Sequence, residues 1–210
     1  MMSKYSGDKN YIYYPGTDIP INRLGIQTRT TLEKEEQNLL LQSYEYFHSS
    51  LSEDTLFDED YLKLLQKKFF SKLYDFAGEY RNVNVSKGYS VFCQVRYLEQ
   101  TSKRIFNELK RDNYLKDYYK KTKEDFAKKI TFYLCELTAL HPFYELNGRT
   151  IRLFFDMIAT YNGYDYIDYS DAAVTKNGMN NFILASIECM SGNEMLMYDI
   201  IISGLRPSNQ

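Results

Sequence analysis

The chain contains little of the chemistry that builds structural metal centres. Its 210 residues include three cysteines and two histidines, and no two cysteines form a Cys-x-x-Cys pair. The sequence therefore does not predict a zinc site. Cys135 and Cys189 lie in apolar helical patterns and are interpreted as small core residues. Together with Cys93 they are odd in number and scattered, which is typical of a reducing cytosol.

Neither sign of charge dominates, and no long apolar run is present. The chain has 26 Lys and Arg against 28 Asp and Glu, a net charge of −2, so no global field attracts nucleic acid or an anionic membrane. No run approaches the roughly 20 apolar residues that span a bilayer, and residues 1–10 lack an apolar signal core. We therefore expect a cytoplasmic protein that binds neither nucleic acid nor membrane.

Two common nucleotide-binding motifs are also absent. No Gly-x-x-x-x-Gly-Lys-(Ser/Thr) run occurs, and no Gly-x-Gly-x-x-Gly follows a strand pattern. The first absence argues against a P-loop NTPase and the second against a dinucleotide-binding fold.

What the chain does contain is apolar residues at three- to four-residue spacing, which predicts an all-α fold. Thr122 with Asp125, and Ser191 with Glu194, resemble N-terminal capping pairs. We divide the chain into an irregular lead-in (1–29), one domain (30–205) and a tail (206–210). Helices are predicted at 30–50, 58–76, 97–111, 123–140, 147–162, 180–190 and 192–202.

One segment has a different period. Residues 83–92 alternate between apolar and polar side chains around Lys87 and Gly88. This pattern predicts a β-hairpin. An isolated hairpin is marginally stable, so we expect it to pack on the helical body with one edge exposed.

The most informative segment is the dodecapeptide 141–152, HPFYELNGRTIR, between two predicted helices. A loop that leads into a helix N-terminus presents unpaired N–H groups and the positive end of the helix dipole to anions. His141, just beyond one helix, suits general-base work on a hydroxyl. Glu145 is the kind of single carboxylate that holds Mg²⁺ beside phosphates.

The start of the second helix completes the predicted phosphate site. Asn147 is a candidate N-cap, and Gly148 would let the backbone approach an anion. Arg149 and Arg152 share one helix face. Two cations in a first helical turn oppose the dipole, so their presence suggests an anionic ligand that both guanidiniums contact.

In this order, these residues resemble the signature of the Fic family, His-x-Phe-x-(Asp/Glu)-Gly-Asn-Gly-Arg-x-x-Arg. Every signature position matches except Leu146, where the family usually has Gly. Residues 77–83, followed by Lys87 and Gly88, resemble the family segment that leads into a flap hairpin. Residues 14–18 and 24–26 resemble the lead-in of the family's bacterial, cell-filamentation branch. The resemblance extends over residues 14–202.

The resemblance implies a Fic-type helical bundle with one β-hairpin flap. It also implies a nucleotidyltransferase that moves AMP from ATP to a Tyr, Thr or Ser hydroxyl of a target protein. Each signature residue then has an expected role: His141 as base, Glu145 as the Mg²⁺ ligand, Asn147, Gly148 and Arg149 as the anion cradle, Arg152 at the terminal phosphate, and Phe143 as the loop anchor.

The same resemblance implies that the hairpin aligns the target protein by adding a strand along its open edge. The hairpin residues expected to bind the target are Lys87, Gly88, Tyr89, Val91 and Phe92.

Several alternatives stay open at this point. The scaffold could serve a phosphotransferase or another group transferase, or an inactive Fic-like module that binds a partner through its hairpin. Because leucine resists positive φ, we expect ordinary backbone geometry at Leu146, with Gly148 supplying the flexibility. Residues 31–36 and 49–54 match the family's inhibitory (Ser/Thr)-x-x-x-Glu-(Gly/Asn) motif only in part and are interpreted as polar residues that flank helices. Any inhibitor is therefore expected to be a separate small antitoxin protein that pairs with Arg152.

Overall fold

A computed structural model describes residues 12–88, 90–173, 175–176 and 179–208 of the chain. The expected all-α fold is confirmed, since α-helices make up most of the described residues. These helices are α1 (Arg29–Ser49), α2 (Glu59–Phe70), α3 (Val95–Arg111), α4 (Lys123–Leu140), α5 (Asn147–Tyr161), α6 (Asn181–Met190) and α7 (Met195–Gly204).

The expected hairpin is present as β1 (Ser86–Lys87) paired antiparallel with β2 (Ser90–Val91). A second antiparallel pair, β3 (Thr175–Lys176) with β4 (Met179–Asn180), precedes α6. We did not predict this second pair from the sequence, although Asn177-Gly178, a dipeptide typical of two-residue hairpin turns, lies between its strands.

Helix ends agree with the prediction where a side chain caps them. The hydroxyl oxygen of Thr122 accepts a hydrogen bond from the backbone N–H of Asp125 at 3.1 Å, as the capping pattern predicts. The capping box proposed at Ser191 is wrong, because its hydroxyl donates to the carbonyl of Glu188 and α7 begins only at Met195. Helix α2 also ends six residues before the predicted Phe76, and turns follow it.

Helices α4 and α5 form the centre of the core. Helix α4 packs against α3, α5, α6 and α7. Helix α5 is buried on nearly every side, which is the pattern of a central helix. Its fully buried apolar residues are Leu153, Phe154, Phe155, Met157, Ile158 and Ala159. The loop between these two helices, residues 141–146, is therefore held by rigid elements at both ends.

The structure corrects the interpretation of two cysteines. Cys135 on α4 and Cys189 on α6 are buried as expected, but they form a disulfide across a sequence separation of 54 residues. Only the packing of α6 on α4 brings them together, so their spacing in the sequence gave no signal. Cys93 is a free thiol.

In the part of the chain that the structure describes, no helix is both long enough and apolar enough to cross a membrane. Helix α1 begins at Arg29, one residue before the predicted boundary between the lead-in and the domain.

Candidate active site

The end of α4 places His141 outside the helix, as the sequence predicts. His141 has left-handed backbone angles, φ 48° and ψ 60°, and its N–H donates to the carbonyl of Leu137 at 3.0 Å. Proline at position 142 disfavours helical geometry for the residue before it. The imidazole lies parallel to the ring of Phe92, with 3.7 Å between the ring centroids. The hairpin and the end of α4 therefore meet at the candidate base.

Leu146 does not have the ordinary backbone geometry that we expected. It has φ 66° and ψ 11° and immediately precedes α5. Left-handed geometry costs a non-glycine residue about 1–2 kcal/mol. The side chain of Leu146 is buried in the main core, and this burial offsets the cost. The leucine therefore keeps a backbone conformation that glycine adopts readily.

The expected local roles of Asn147 as an N-cap and of Gly148 as a point of backbone flexibility are also corrected. Asn147 is the first residue of α5 rather than its N-cap, and its side-chain amide closes the loop onto Phe143. Its Oδ1 accepts from the N–H of Phe143 at 2.8 Å, and its Nδ2 donates to the carbonyl of Phe143 at 2.7 Å. Gly148 lies within the first helical turn, without positive φ, and a Cβ there would meet no atom within 4 Å. It leaves space rather than supplying flexibility.

A cavity of about 630 Å³ lies over this loop and brings most of the candidate residues together. An apolar face of α6 that includes Phe182, Ile183 and Ile187 also lines the cavity. No signature marks this face in the sequence, and only the position of α6 reveals it. The candidate residues that line the cavity are Lys87, Gly88, Phe92, His141, Glu145, Asn147, Gly148, Arg149 and Arg152.

Two candidates lie elsewhere, and a third is outside the described residues. Phe143 is fully buried beneath the loop, with its ring 5.5 Å from that of Tyr80, a position that suits an anchor. Val91 is 69% exposed on the outer side of the hairpin. Tyr89 lies outside the described residues.

The candidate metal ligand, Glu145, is held by the N-terminal lead-in. Its carboxylate is buried, and Oε1 accepts a hydrogen bond from the hydroxyl of Tyr13 at 2.9 Å. Tyr13 belongs to a small apolar cluster with Phe92 and Tyr144, which joins the lead-in to the flap. No cluster of three or more metal-binding side chains occurs among the described residues. A single carboxylate with phosphate and water ligands is a common Mg²⁺ site, so the donor chemistry fits that ion.

Arg149 forms an ion pair that the sequence analysis missed. Its Nη1 lies 2.6 Å from Oε2 of Glu36 on α1, and the hydroxyl of Tyr74 donates to Oε1 of the same carboxylate at 2.5 Å. Burial raises the pKa of Tyr74. Interpreting Glu36 as a polar residue flanking a helix is therefore wrong. The missed signal is its position on the same helical face as Leu32 and Leu40.

Arg152 also lines the cavity and lies against aromatic rings. Its guanidinium carbon is 4.9 Å from the ring centroid of Phe182, a cation–π distance. Among the described side chains, no carboxylate lies within ion-pair distance of it. One turn further along α5, Asp156 is buried and accepts a hydrogen bond from the hydroxyl of Tyr44. Burial raises the pKa of Asp156 to about 7.

Comparison with known proteins places this geometry in a family. Residues 56–159 match the model of the Fic/DOC family. The chain is 34% identical over 201 residues to protein adenylyltransferase VbhT of Bartonella schoenbuchensis, covering 95% of this chain but only 40% of that relative's length. It is 32% identical over 196 residues to the "probable protein adenylyltransferase y4lH" of Sinorhizobium fredii, covering 91% of this chain and 94% of that relative.

A solved structure has the same fold. The BepC protein of Bartonella tribocorum, crystallised with bound AMPPNP, superimposes with a TM-score of 0.78 at 23% identity, over 94% of this chain and 97% of that one. At this identity the likeness establishes the fold alone. The match to the family model and the similarity to these relatives show that the protein belongs to the Fic/DOC family.

Proposed function

We propose that this chain is a protein adenylyltransferase that moves AMP from Mg²⁺-ATP to a hydroxyl side chain of a target protein. The observation that carries the proposal is the cavity over the loop, which gathers the imidazole of His141, the carboxylate of Glu145 and the guanidiniums of Arg149 and Arg152. The names of the relatives VbhT and y4lH support this activity, and the nucleotide analogue in BepC supports ATP as donor.

The transfer is a displacement at the α-phosphorus. The oxygen of the target hydroxyl forms a bond to this phosphorus while the bond from phosphorus to the bridging oxygen of pyrophosphate breaks. His141 accepts the proton of the hydroxyl, and pyrophosphate leaves with the electron pair. Positioning and charge stabilisation dominate such a reaction, so no covalent intermediate with the protein is required.

Different groups in the cavity would bind different parts of the triphosphate. Glu145 would hold Mg²⁺, which neutralises phosphate charge when it is bound. The first residues of α5 line the same cavity, and their backbone N–H groups would bind the α- and β-phosphates. Because Arg149 is already paired with Glu36, we assign the terminal phosphate to Arg152, which has no ion-pair partner among the described side chains and lies beside the ring of Phe182.

The remaining features of the proposal concern partners. The target would lie along the hairpin 83–92, where Val91 is exposed, and extend the two-stranded sheet by backbone pairing. A small antitoxin protein that offers a carboxylate to Arg152 would block the terminal phosphate. We place the reaction in the cytoplasm, although the disulfide between Cys135 and Cys189 removes the argument drawn from scattered thiols.

Radiolabelled ATP tests the proposal directly. Purified protein is incubated with bacterial lysate and either α-³²P-ATP or γ-³²P-ATP. Label from α alone supports AMP transfer, label from γ alone indicates a phosphotransferase, and no label from either indicates a binding module. His141→Ala should abolish the label. The control is His48→Ala, which changes a histidine outside the cavity and should retain the label. Label that persists in His141→Ala would refute the assignment of the base.

A further inference from the structure

Arg81 is a buried cation whose hydrogen-bond partners are backbone carbonyls from separate segments of the chain. It is 2% exposed. Its Nε donates to the carbonyl of His141 at 2.8 Å and its Nη1 to that of Val83 at 2.7 Å. Its Nη2 donates to the carbonyls of Leu140, at 3.2 Å, and Cys93. Within the described residues no carboxylate pairs with this guanidinium.

These carbonyls belong to two segments of the active site, the hairpin and the end of α4, which must keep a fixed relative position. Val83 and Cys93 flank the hairpin, while Leu140 and His141 end α4. The carbonyls at a helix C-terminus lack partners within the helix and carry the negative end of its dipole. The guanidinium therefore caps α4 from another segment, and the helix end provides the negative partial charge that a buried cation requires.

Backbone pairing around Arg81 extends the same junction. The N–H of Arg81 donates to the carbonyl of Pro142 at 2.9 Å, and the N–H of Cys93 donates to that of Ala139 at 3.0 Å. The N–H of Asn82 donates to the hydroxyl of Tyr144 at 3.0 Å. Each bond joins a residue that flanks the hairpin to the end of α4 or to the loop that follows it.

We propose that Arg81 is a positioning residue that locks the hairpin and the loop 141–146 into one unit, and so fixes the target hydroxyl relative to His141. A planar guanidinium can donate to carbonyls in several directions at once, whereas a lysine ammonium is a point charge on a flexible stem. Arg81→Lys therefore keeps the charge and removes the fork. The catalytic part of this inference rests on the proposed function, and the structural coupling does not.

Hydrogen exchange followed by mass spectrometry tests the coupling without any need for activity. In Arg81→Lys, amides of residues 83–93 and 140–146 should both exchange at least about tenfold faster, while α2 and α5 keep their protection. Arg104→Lys is the matched control, because Arg104 is half exposed and pairs with Glu136 on the surface. Acceleration in only one of the two segments, or an equal acceleration in every helix, would overturn the proposal.

A measurement on the unchanged protein covers the case in which Arg81→Lys does not fold. Under native-state exchange in low denaturant, the hairpin and the loop should open with one shared free energy. Opening of the hairpin at lower denaturant than the loop would contradict a lock between them.

The catalytic consequence is tested by separating binding from turnover. Arg81→Lys should lower the kcat for AMP transfer by about 100-fold, since a displacement near 1 Å can have that effect. Affinity for Mg²⁺-ATP should stay within about twofold, because Arg81 does not line the cavity. Equal losses in nucleotide binding and turnover would assign Arg81 a general structural role. If the unchanged protein transfers no AMP, the proposed function fails, while the exchange results still decide the coupling.

Discussion

The ring of Phe92 lies flat against the imidazole of His141, with 3.7 Å between centroids and 14° between planes. Phe92→Leu keeps an apolar side chain but removes the stacked ring, a contact worth about 1 kcal/mol. We expect AMP transfer to fall by up to about tenfold with a small loss of stability. Steady-state kinetics and thermal unfolding check this. Tyr97→Leu, at an exposed aromatic outside the cavity, is the control. Unchanged transfer in Phe92→Leu would show that the stacking does not orient the base.

The left-handed geometry of Leu146 predicts an unusual order of stability between two truncations. Leu146→Ala and Leu146→Gly both remove the buried side chain and should both destabilise the protein. Only glycine relieves the left-handed strain, so Leu146→Gly should be the more stable of the two by about 1 kcal/mol. Denaturant unfolding of the two variants measures the difference. A more stable alanine variant would mean that the backbone at this position is not left-handed in solution.

The pair of Glu36 and Arg149 predicts that a residue on α1 supports the phosphate site. Glu36→Gln removes the negative charge that pairs with Arg149 at a buried position. It should therefore lower the free energy of unfolding by about 1–3 kcal/mol. Glu33→Gln, at an exposed position on the same helix, should change stability by less than about 0.5 kcal/mol. Chemical denaturation of both variants provides the comparison. Equal stability of the two would mean that Glu36 does not pair with Arg149 in solution.

From the disulfide between Cys135 and Cys189 we predict how many thiols react before and after reduction. In denaturant without reductant, one thiol, that of Cys93, should react with a thiol reagent, and reduction should release the other two. Closing a loop of this length contributes about 4 kcal/mol, so the double variant Cys135→Ser, Cys189→Ser should be destabilised by that amount. Cys93→Ser is the control. Three reactive thiols before reduction would return both cysteines to the core role first expected of them.

From the buried carboxyl of Asp156 we predict that the free energy of unfolding falls as the pH rises. Burial raises the pKa of Asp156 to about 7 in the folded protein, above its value in the unfolded chain. The folded state therefore binds the extra proton, and the stability gained from it is present at low pH and is lost as the pH rises toward 7.

The measurement compares Asp156→Asn with the unchanged protein. Asparagine cannot ionise, so the variant should gain about 2 kcal/mol relative to the unchanged protein between pH 5 and pH 8. Asp165→Asn, which changes an exposed carboxylate, is the matched control. A constant difference between Asp156→Asn and the unchanged protein across this range would contradict a neutral Asp156 carboxyl at pH 5.

Prediction from sequence succeeded where the physical cause is local and failed where it is not. The end of α4 follows from Pro142 and the start of α4 from Thr122, each of which acts on residues next to it. At Leu146 the local preference of leucine pointed to ordinary geometry, but burial of its side chain outweighed that preference. A local rule could not include this contribution, because the core that buries Leu146 is assembled from distant helices.

The sequence by itself determined the helices, the hairpin and the order of charged groups from His141 to Arg152, because helical period, caps and turns act over a few residues. Only the tertiary structure decided which groups support that loop. Tyr13 reaches Glu145 across 132 positions, Glu36 reaches Arg149 across 113, and Arg81 reaches His141 across 60. Such contacts leave no periodic trace in the chain. They exist because packing on α4 and α5 buries these polar side chains, and a buried polar group requires a partner wherever the fold supplies one.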